Sequence, residues 1–284
     1  NTATRGARKE FPSVAVIVAE SGTVTIYDGD DPDMPMWMVF NGNAGIIYYT
    51  HAISSVTMLN GILAISRPVS YGVGLTNFVS DSSQNIRNHF GTYTYIGGIV
   101  GRNASKGSNL VSINPLINGN ANDVAMTVLP NAPIDPDTGL PVPTIAVATD
   151  GGVSVIKDDG SVVDITGHVE IPSDVHFNGD KELVATGTYD QMINVYDIPT
   201  ADITTANFKR RYSYQEKPQI DIPNDTAYRT NDIVSEDNTL YIARQKGLLA
   251  IDENKSNKTS SLVSFIASDY NTGWMNGDIK LATL

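Results

Sequence analysis

The densest chemistry in the sequence is Asp28-Gly29-Asp30-Asp31-Pro32-Asp33, with four carboxylates in six residues. Hard oxygen ligands gathered in one loop suit Ca²⁺, which makes Asp28, Asp30, Asp31 and Asp33 a candidate calcium loop. The order departs from D-x-[DN]-x-[DN]-G, and no Glu follows at the bidentate position of that motif. An acidic turn whose Asp and Gly residues serve the backbone explains the same run, so no cofactor is expected. Asp135-Pro136-Asp137-Thr138-Gly139 reads as a Pro-bracketed surface loop. His168, Glu170, Asp174 and His176 fall within nine residues, a composition that could hold a transition metal. Pro172 interrupts that run, and connecting-loop residues are the plainer account. His51 and His89 have no partner motif nearby.

Nucleophilic catalysis finds no signature: there is neither a G-x-S-x-G elbow nor H-E-x-x-H. Glycoside hydrolysis needs only two carboxylates at a set separation, which spacing in sequence does not test. Gly97-Gly98-Ile99-Val100-Gly101-Arg102 is Gly-rich, but no helix follows to present its N-terminus to a phosphate; a strand and then a turn is expected. Lys209-Arg210-Arg211-Tyr212-Ser213-Tyr214 interleaves cations with aromatics, a pattern that can stack on bases. Sugar binding uses aromatic faces with polar groups close by. Trp37, Tyr48, Tyr49, Tyr270 and Trp274 are the candidate platform, with core packing as the competing role for each, above all for Trp37 among Met34, Met36 and Met38.

The whole-chain balance narrows these options. The 284 residues carry 31 acidic and 19 basic side chains, a net charge of −12. Such a balance repels phosphate backbones and anionic membrane surfaces, so no nucleic-acid partner is expected and the cationic tract reads as a solvated strand or loop. There is no cysteine, which removes disulfides, thiolate metal sites and cysteine catalysis together. The longest continuous apolar run, Val14 to Ala19, is far shorter than the ~18–20 residues a spanning helix needs. The start lacks Met and a signal-peptide core, and the end stops inside a strand-like run, so a fragment of a longer chain is expected.

The elements that must position these residues are β-strands. Val14–Ala19 and Thr23–Tyr27 flank Ser21-Gly22. Ile145–Thr149 and Val153–Ile156 flank Asp150-Gly151-Gly152. Leu183–Gly187 and Met192–Tyr196 flank Thr188-Tyr189-Asp190-Gln191, and Leu240–Ala243 and Leu248–Ile251 flank Lys246-Gly247. Each is a hairpin of β-branched runs around a turn that tolerates positive φ. A further short strand precedes most of them: Asp123–Met126, Asp174–Phe177, Asp232–Val234 and, before Gly61–Ile65, Ser55–Met58. The three acids that open these runs, Asp123, Asp174 and Asp232, are 51 and 58 residues apart, and no segment has a capped helical period. Five such units average about 57 residues, near the ~40–50 of propeller blades plus insertions.

Val14–Ala19 and Ile145–Ala148 do not alternate apolar with polar, which implies strands covered on both faces. Radially packed blades provide that cover and a two-sheet sandwich does not. The expectation is an all-β fold, a β-propeller of five four-stranded blades over residues 13–284 after an arm at 1–12. The N-terminal and C-terminal strands are expected to share one blade, which would remove two sheet edges.

Ala185-Thr186-Gly187-Thr188-Tyr189-Asp190 with Ile193-Asn194-Val195-Tyr196-Asp197-Ile198 resembles a WD40-type blade with Tyr in the Trp position. A second resemblance rests on three stretches: Thr4–Pro12 leading into Val14–Glu20; Tyr27–Phe40; and Gly273-Trp274-Met275-Asn276-Gly277-Asp278-Ile279-Lys280. They are similar to uncharacterised virion-associated, tail-fibre-like proteins of marine phage and marine metagenomes, in which a propeller region precedes lectin-like modules. The resemblance implies a non-enzymatic structural protein of a phage tail. Its implied partners are other virion proteins and a host surface glycan, and a homotrimer is an expected assembly. The competing classes are an extracellular polysaccharide-active enzyme and a general protein-binding propeller. No nucleophile elbow or metalloprotease motif favours the enzyme class, and a pair of glycosidase carboxylates is not tested by spacing in the sequence.

Overall fold

The computed structural model describes residues 11–41, 46, 52–88, 91–104, 107–112, 115–136, 138–167, 171–187, 192–205, 207–213, 220–221, 230–244, 247–257, 260–267 and 279–283. The described residues form strands and turns with no α-helix, and no helix is long and apolar enough to cross a membrane. They make five sheets in which chain order is also spatial order. The chain divides into two compact units, one of residues 1–124, 130–143 and 158–162, the other of residues 125–129, 144–157 and 163–284.

In the first unit, β1 (Ala15–Glu20), β2 (Thr23–Asp28) and β3 (Met36–Asn41) form a three-stranded sheet. A six-stranded sheet follows: β4 (Ser55–Leu59), β5 (Ile62–Arg67), β6 (Gly72–Asn77), β7 (Ser82–Arg87), β8 (Gly91–Tyr95) and β9 (Ser108–Ser112). The β4–β5 turn is Asn60-Gly61, both with positive φ (49° and 77°), the two-residue connection that matches strand twist. Val24, Ile26, Trp37, Met38 and Phe40 pack with Leu63, Ile65, Phe78 and Ile99 in one apolar cluster.

The third sheet, mostly in the second unit, is β10 (Ala121–Thr127), β11 (Thr144–Thr149), β12 (Gly152–Ile156) and β13 (Val162–Ile165). The fourth is β14 (Pro172–Phe177), β15 (Leu183–Gly187), β16 (Ile193–Tyr196), β17 (Arg210–Ser213) and β18 (Ile220–Asp221), with β18 parallel to β17. The fifth is β19 (Thr230–Glu236), β20 (Thr239–Arg244), β21 (Gly247–Asp252), β22 (Leu262–Ala267) and β23 (Ile279–Thr283). The fourth sheet is covered on both faces. Leu183 and Ala185 of β15 pack with Ala146, Ala148 and Val155 of the third sheet, while Val184 packs with Ile242, Leu249 and Ile251 of the fifth. Alternate residues of β15 serve two cores, which is why its Leu183–Ala185 run is apolar without interruption.

Every hairpin read from the sequence is present, and the preceding strands are β4, β10, β14 and β19. The last four sheets each contain a four-stranded meander: β4–β7, β10–β13, β14–β17 and β19–β22. Strands β8, β9, β18 and β23 extend three of them, and the first sheet has only three strands. Two expectations are corrected. Among the described residues the terminal strands do not share a sheet: β23 pairs antiparallel with β22, from Leu262↔Thr283 to Ile266↔Ile279, while β1 pairs with β2. Closing a local hairpin costs less chain entropy than closing the whole chain. Nor is β1 covered on both faces. Ala15 and Ile17 pack inward, but Val14, Val16 and Val18 are exposed, because β1 is an edge strand with one packed face.

Candidate functional site

The connection between β16 and β17 carries a cavity. β16 and β17 pair antiparallel from Ile193↔Tyr212 to Val195↔Arg210, and residues 197–209 bulge out between them. The bulge is pinned as an extra strand on β13. Ile203 N donates to Asp164 O at 2.8 Å, Thr166 N donates to Ile203 O at 2.7 Å, and Asp164 N donates to Asp202 Oδ1 at 3.0 Å. The pinned loop encloses a cavity of about 370 Å³ whose lining includes Asp197, Thr200, Asp202, Asn207, Phe208 and Lys209. Its polar groups face solvent, and Phe208 supplies an aromatic ring braced by the Arg211 guanidinium 4.1 Å from its centroid.

Behind Lys209 lies a buried ionic cluster. Arg210 Nε donates to Glu253 Oε1 at 2.8 Å and its Nη1 donates to Glu182 Oε1 at 3.0 Å, while Nη2 reaches both carboxylates. Asn178 Nδ2 donates to Glu182 Oε2 at 2.7 Å, and the Tyr212 hydroxyl donates to Glu253 Oε1. Lys209 Nζ bridges Glu182 at 2.8 Å and Asp197 at 2.7 Å, so one ammonium joins the buried cluster to the cavity wall. Arg210, Glu182 and Glu253 are all within 5% of full burial. Glu182 precedes β15 and Glu253 follows β21, so Arg210 clamps the fourth sheet to the fifth.

The titration behaviour follows from this geometry. Burial opposes ionisation of Glu182, but hydrogen bonds from Arg210, Lys209 and Asn178 outweigh it and hold its carboxyl at about 2. Burial alone would lower Arg210, and its two carboxylate partners reverse the sign and raise it. Burial, reinforced by the Glu253 charge, pushes the Tyr212 phenol well up. Hydrogen bonds to Asp197 and Glu182 raise the Lys209 ammonium. Asp164, whose carboxylate accepts from Ser154 Oγ at 2.6 Å, is raised by burial and by the neighbouring Asp202 charge. Glu182 and Glu253 are therefore committed to fixed ion pairs, and the groups open to a ligand are those of the cavity.

The residues singled out in the sequence are placed as follows. Trp37 is 6% exposed, edge-on to Phe11 at 4.8 Å between ring centroids and packed with Phe78, so it belongs to the core. Tyr48, Tyr49, Tyr270 and Trp274 lie outside the described residues, as do His51, His89, His168 and Glu170. In the acidic run, Asp30 accepts from Ser13 N at 2.7 Å and Val14 N at 3.0 Å. Asp28 accepts from Asp30 N at 3.1 Å and Asp31 from Asp33 N at 3.0 Å, so these carboxylates organise the turn. Among the described residues no group of three or more His, Asp or Glu side chains converges to hold a metal. His176 instead shares a hydrogen bond with Ser235 Oγ at 2.8 Å. Asp135 and Gly139 close a surface turn through Gly139 N to Asp135 O at 2.8 Å. Gly97–Arg102 is the turn after β8, tied to β3 by Arg102 Nε donating to Val39 O at 2.7 Å.

The cationic tract is the main correction. It is a strand, β17, but Arg210, Arg211, Tyr212 and Ser213 are all buried rather than solvated. Four flanking groups make that burial tolerable: Glu182, Glu253, Asn194 (accepting from Arg211 Nε at 2.6 Å) and the Phe208 ring. Sequence reasoning did not single out Asp197, Asp202 or Phe208. The available signal was the 13-residue stretch between two strand-like runs, since a long connection inside a meander often carries function.

No family model and no curated protein sequence matches this chain. Among solved structures, it is similar to a chain of the Chaetomium thermophilum polycomb repressive complex 2, with 11% identity and a TM-score of 0.48 over 86% of this chain and 46% of that one. This chain thus spans less than half the length of that match. A functionally unknown protein from Desulfotomaculum acetoxidans matches at 10% identity and a TM-score of 0.47, over 94% of this chain and 84% of its own. The computationally designed protein Ika8 matches at 12% identity and a TM-score of 0.45, over 92% and 80% of the two chains. At these values none of the three bears on what this chain does.

Proposed function

We propose that this chain is a non-enzymatic, propeller-like binding scaffold, a structural component of a phage tail fibre or tail-associated receptor-binding protein, and that the cavity of the β16–β17 connection takes a hydroxyl-rich ligand such as a surface glycan. The observation that carries this reading is the contrast between the two halves of the site. Glu182, Glu253 and Arg210 are saturated inside the fold, while Asp197, Asp202, Asn207 and Phe208 line an open cavity next to them. Carboxylate and amide groups beside an aromatic ring suit vicinal hydroxyls and C–H patches. Five consecutive meanders, with strands covered on both faces in the second unit, support radial blades. The placement in a virion rests on the sequence resemblance, and a homotrimer is the assembly that goes with it.

A glycan array probed with the whole chain tests ligand binding, and mass photometry tests the trimer. Saturable binding that weakens at least roughly tenfold in Asp202→Ala supports the cavity reading, since a lost charged hydrogen bond is worth about 1.5–3 kcal/mol. Binding unchanged in that variant overturns it. A second reading, a polysaccharide-active enzyme, is favoured by Asp164, whose raised carboxyl sits beside the Asp202 charge. Release of reducing ends from marine polysaccharides by the wild type, abolished in Asp164→Asn, would replace the binding reading with that one.

A further inference from the structure

The fold leaves one charge of the β16–β17 cavity unbalanced. Its two lining carboxylates differ in their surroundings. Asp197 Oδ1 accepts from Lys209 Nζ at 2.7 Å, and the same ammonium reaches Glu182 at 2.8 Å, so Lys209 is compensated twice. Asp202 Oδ1 accepts from a backbone group, Asp164 N, at 3.0 Å, and among the described residues no cation pairs with Asp202. Its charge is felt next door, where Asp164 is raised by burial first and by Asp202 in addition. Thr200 and Asn207 line the same cavity, and among the described residues their side chains make no hydrogen bond within the fold.

This inventory separates ligands by charge. An anionic sugar would bring its carboxylate or sulfate to Asp202 in a chain of net charge −12, and the lining's cation, Lys209, is already spent on two acids. A neutral sugar would leave the Asp202 charge unanswered. A hard divalent cation takes about six to eight oxygens, and no group of three carboxylates or imidazoles converges among the described residues. A protonated primary amine carries three donors on one centre. The second Asp202 oxygen, the Asn207 amide oxygen and the Thr200 hydroxyl are three acceptors that the fold does not use. The cavity, at about 370 Å³, falls within the size range of small-ligand pockets.

We propose that, among glycans, this cavity selects units bearing a protonated primary amine, as in a 2-amino-2-deoxyhexose, over their N-acetylated and anionic counterparts, with Asp202 making the choice. The inference rests on the reading of the cavity as a glycan site and narrows it. An ammonium donating to the Asp202 carboxylate forms a charge-assisted hydrogen bond. N-acetylation converts that donor to a neutral amide, so the difference in affinity falls on this contact.

The test is calorimetric titration of the whole chain at fixed ionic strength with tetrasaccharides of glucosamine, N-acetylglucosamine and galacturonate, at about pH 5.5, below the titration range of an amine. The glucosamine tetramer is expected to bind at least roughly tenfold tighter than the N-acetylated one, the worth of one charged hydrogen bond, and the galacturonate tetramer weakest of the three. Asp202→Asn keeps the oxygen that accepts from Asp164 N, and in it the preference for glucosamine should fall below about threefold. Asp31→Asn removes the same charge from the turn after β2 and should leave the preference intact. A preference that survives in Asp202→Asn, or falls equally in Asp31→Asn, would overturn the proposal as general attraction of a cation to an acidic chain. Tetralysine binding as tightly as the glucosamine tetramer would overturn it as well. If the N-acetylated or galacturonate tetramer binds as well as the glucosamine tetramer and loses its binding in Asp202→Ala, the selection is overturned while the glycan cavity stands. Binding by none of the three overturns the selection too, and the glycan array then decides the cavity reading separately.

Discussion

Replacing Arg210 with Met isolates the buried cluster. The substitution keeps most of the side-chain volume and removes the one group that neutralises Glu182 and Glu253 together. Two carboxylates with 5% and 4% exposure would then sit in the interior, with Lys209 reaching only Glu182. Breaking a buried pair from one side costs about 3–5 kcal/mol. The titration of Glu182 points the same way: hydrogen bonds from Arg210, Lys209 and Asn178 together hold its carboxyl at about 2 against the opposing effect of burial. Because the folded carboxyl lies below its ordinary value, this stability is present above pH 4.5 and is lost as pH falls toward about 2. The deficit of Arg210→Met should therefore be full at neutral pH and shrink on acidification, as Glu182 takes up a proton. Urea unfolding at a series of pH values measures it, with hydrogen exchange on β15, β17 and β21 locating the loss in the second unit. Adding Glu182→Gln and Glu253→Gln should recover more than half of the deficit at neutral pH, since neutral partners need no counter-charge. A deficit under about 1 kcal/mol, in the range of exposed pairs, or one that does not depend on pH, would refute the assignment of a buried clamp.

Three further outcomes follow from particular contacts. Gly152→Ala places a Cβ 2.3 Å from Ile165 O at a backbone φ of 136°, so unfolding should show a loss above about 1 kcal/mol that no side-chain rotation relieves. Asp202→Asn keeps the oxygen that accepts from Asp164 N and removes its charge, so NMR titration should find the Asp164 carboxyl shifted down toward its ordinary value. Trp37→Ala should cost about 3–5 kcal/mol as a large core truncation. In a Trp274→Phe background, Trp37 emission should be shielded from iodide and insensitive to added sugars, since the ring is packed against Phe11 and Phe78.

The strand framework was legible because its signals are local. The runs read as Ile145–Thr149 and Val153–Ile156 pair antiparallel across Asp150-Gly151, and the strands that precede most of the hairpins were marked by short runs, several of them opened by an acid. The site was legible only in part. Lys209-Arg210-Arg211-Tyr212 drew notice as a cationic–aromatic tract, but net charge pointed to solvent. Its buried state depends on Glu182, 28 residues before Arg210, and Glu253, 43 residues after it, which no local pattern links.

Residue type and period of two thus determined, from the chain alone, which segments extend, where they turn and that no helix competes. Tertiary packing decided what each strand face meets. It left Val16 exposed on β1 although its run is as apolar as that of β11. It buried Trp37 instead of offering it as a platform, and it gave β23 to β22 rather than to β1. The reason is physical: backbone preference and turn chemistry act over a few residues, whereas burial, ion pairing and strand partnership are set by groups far apart in the chain that meet only once the sheets pack.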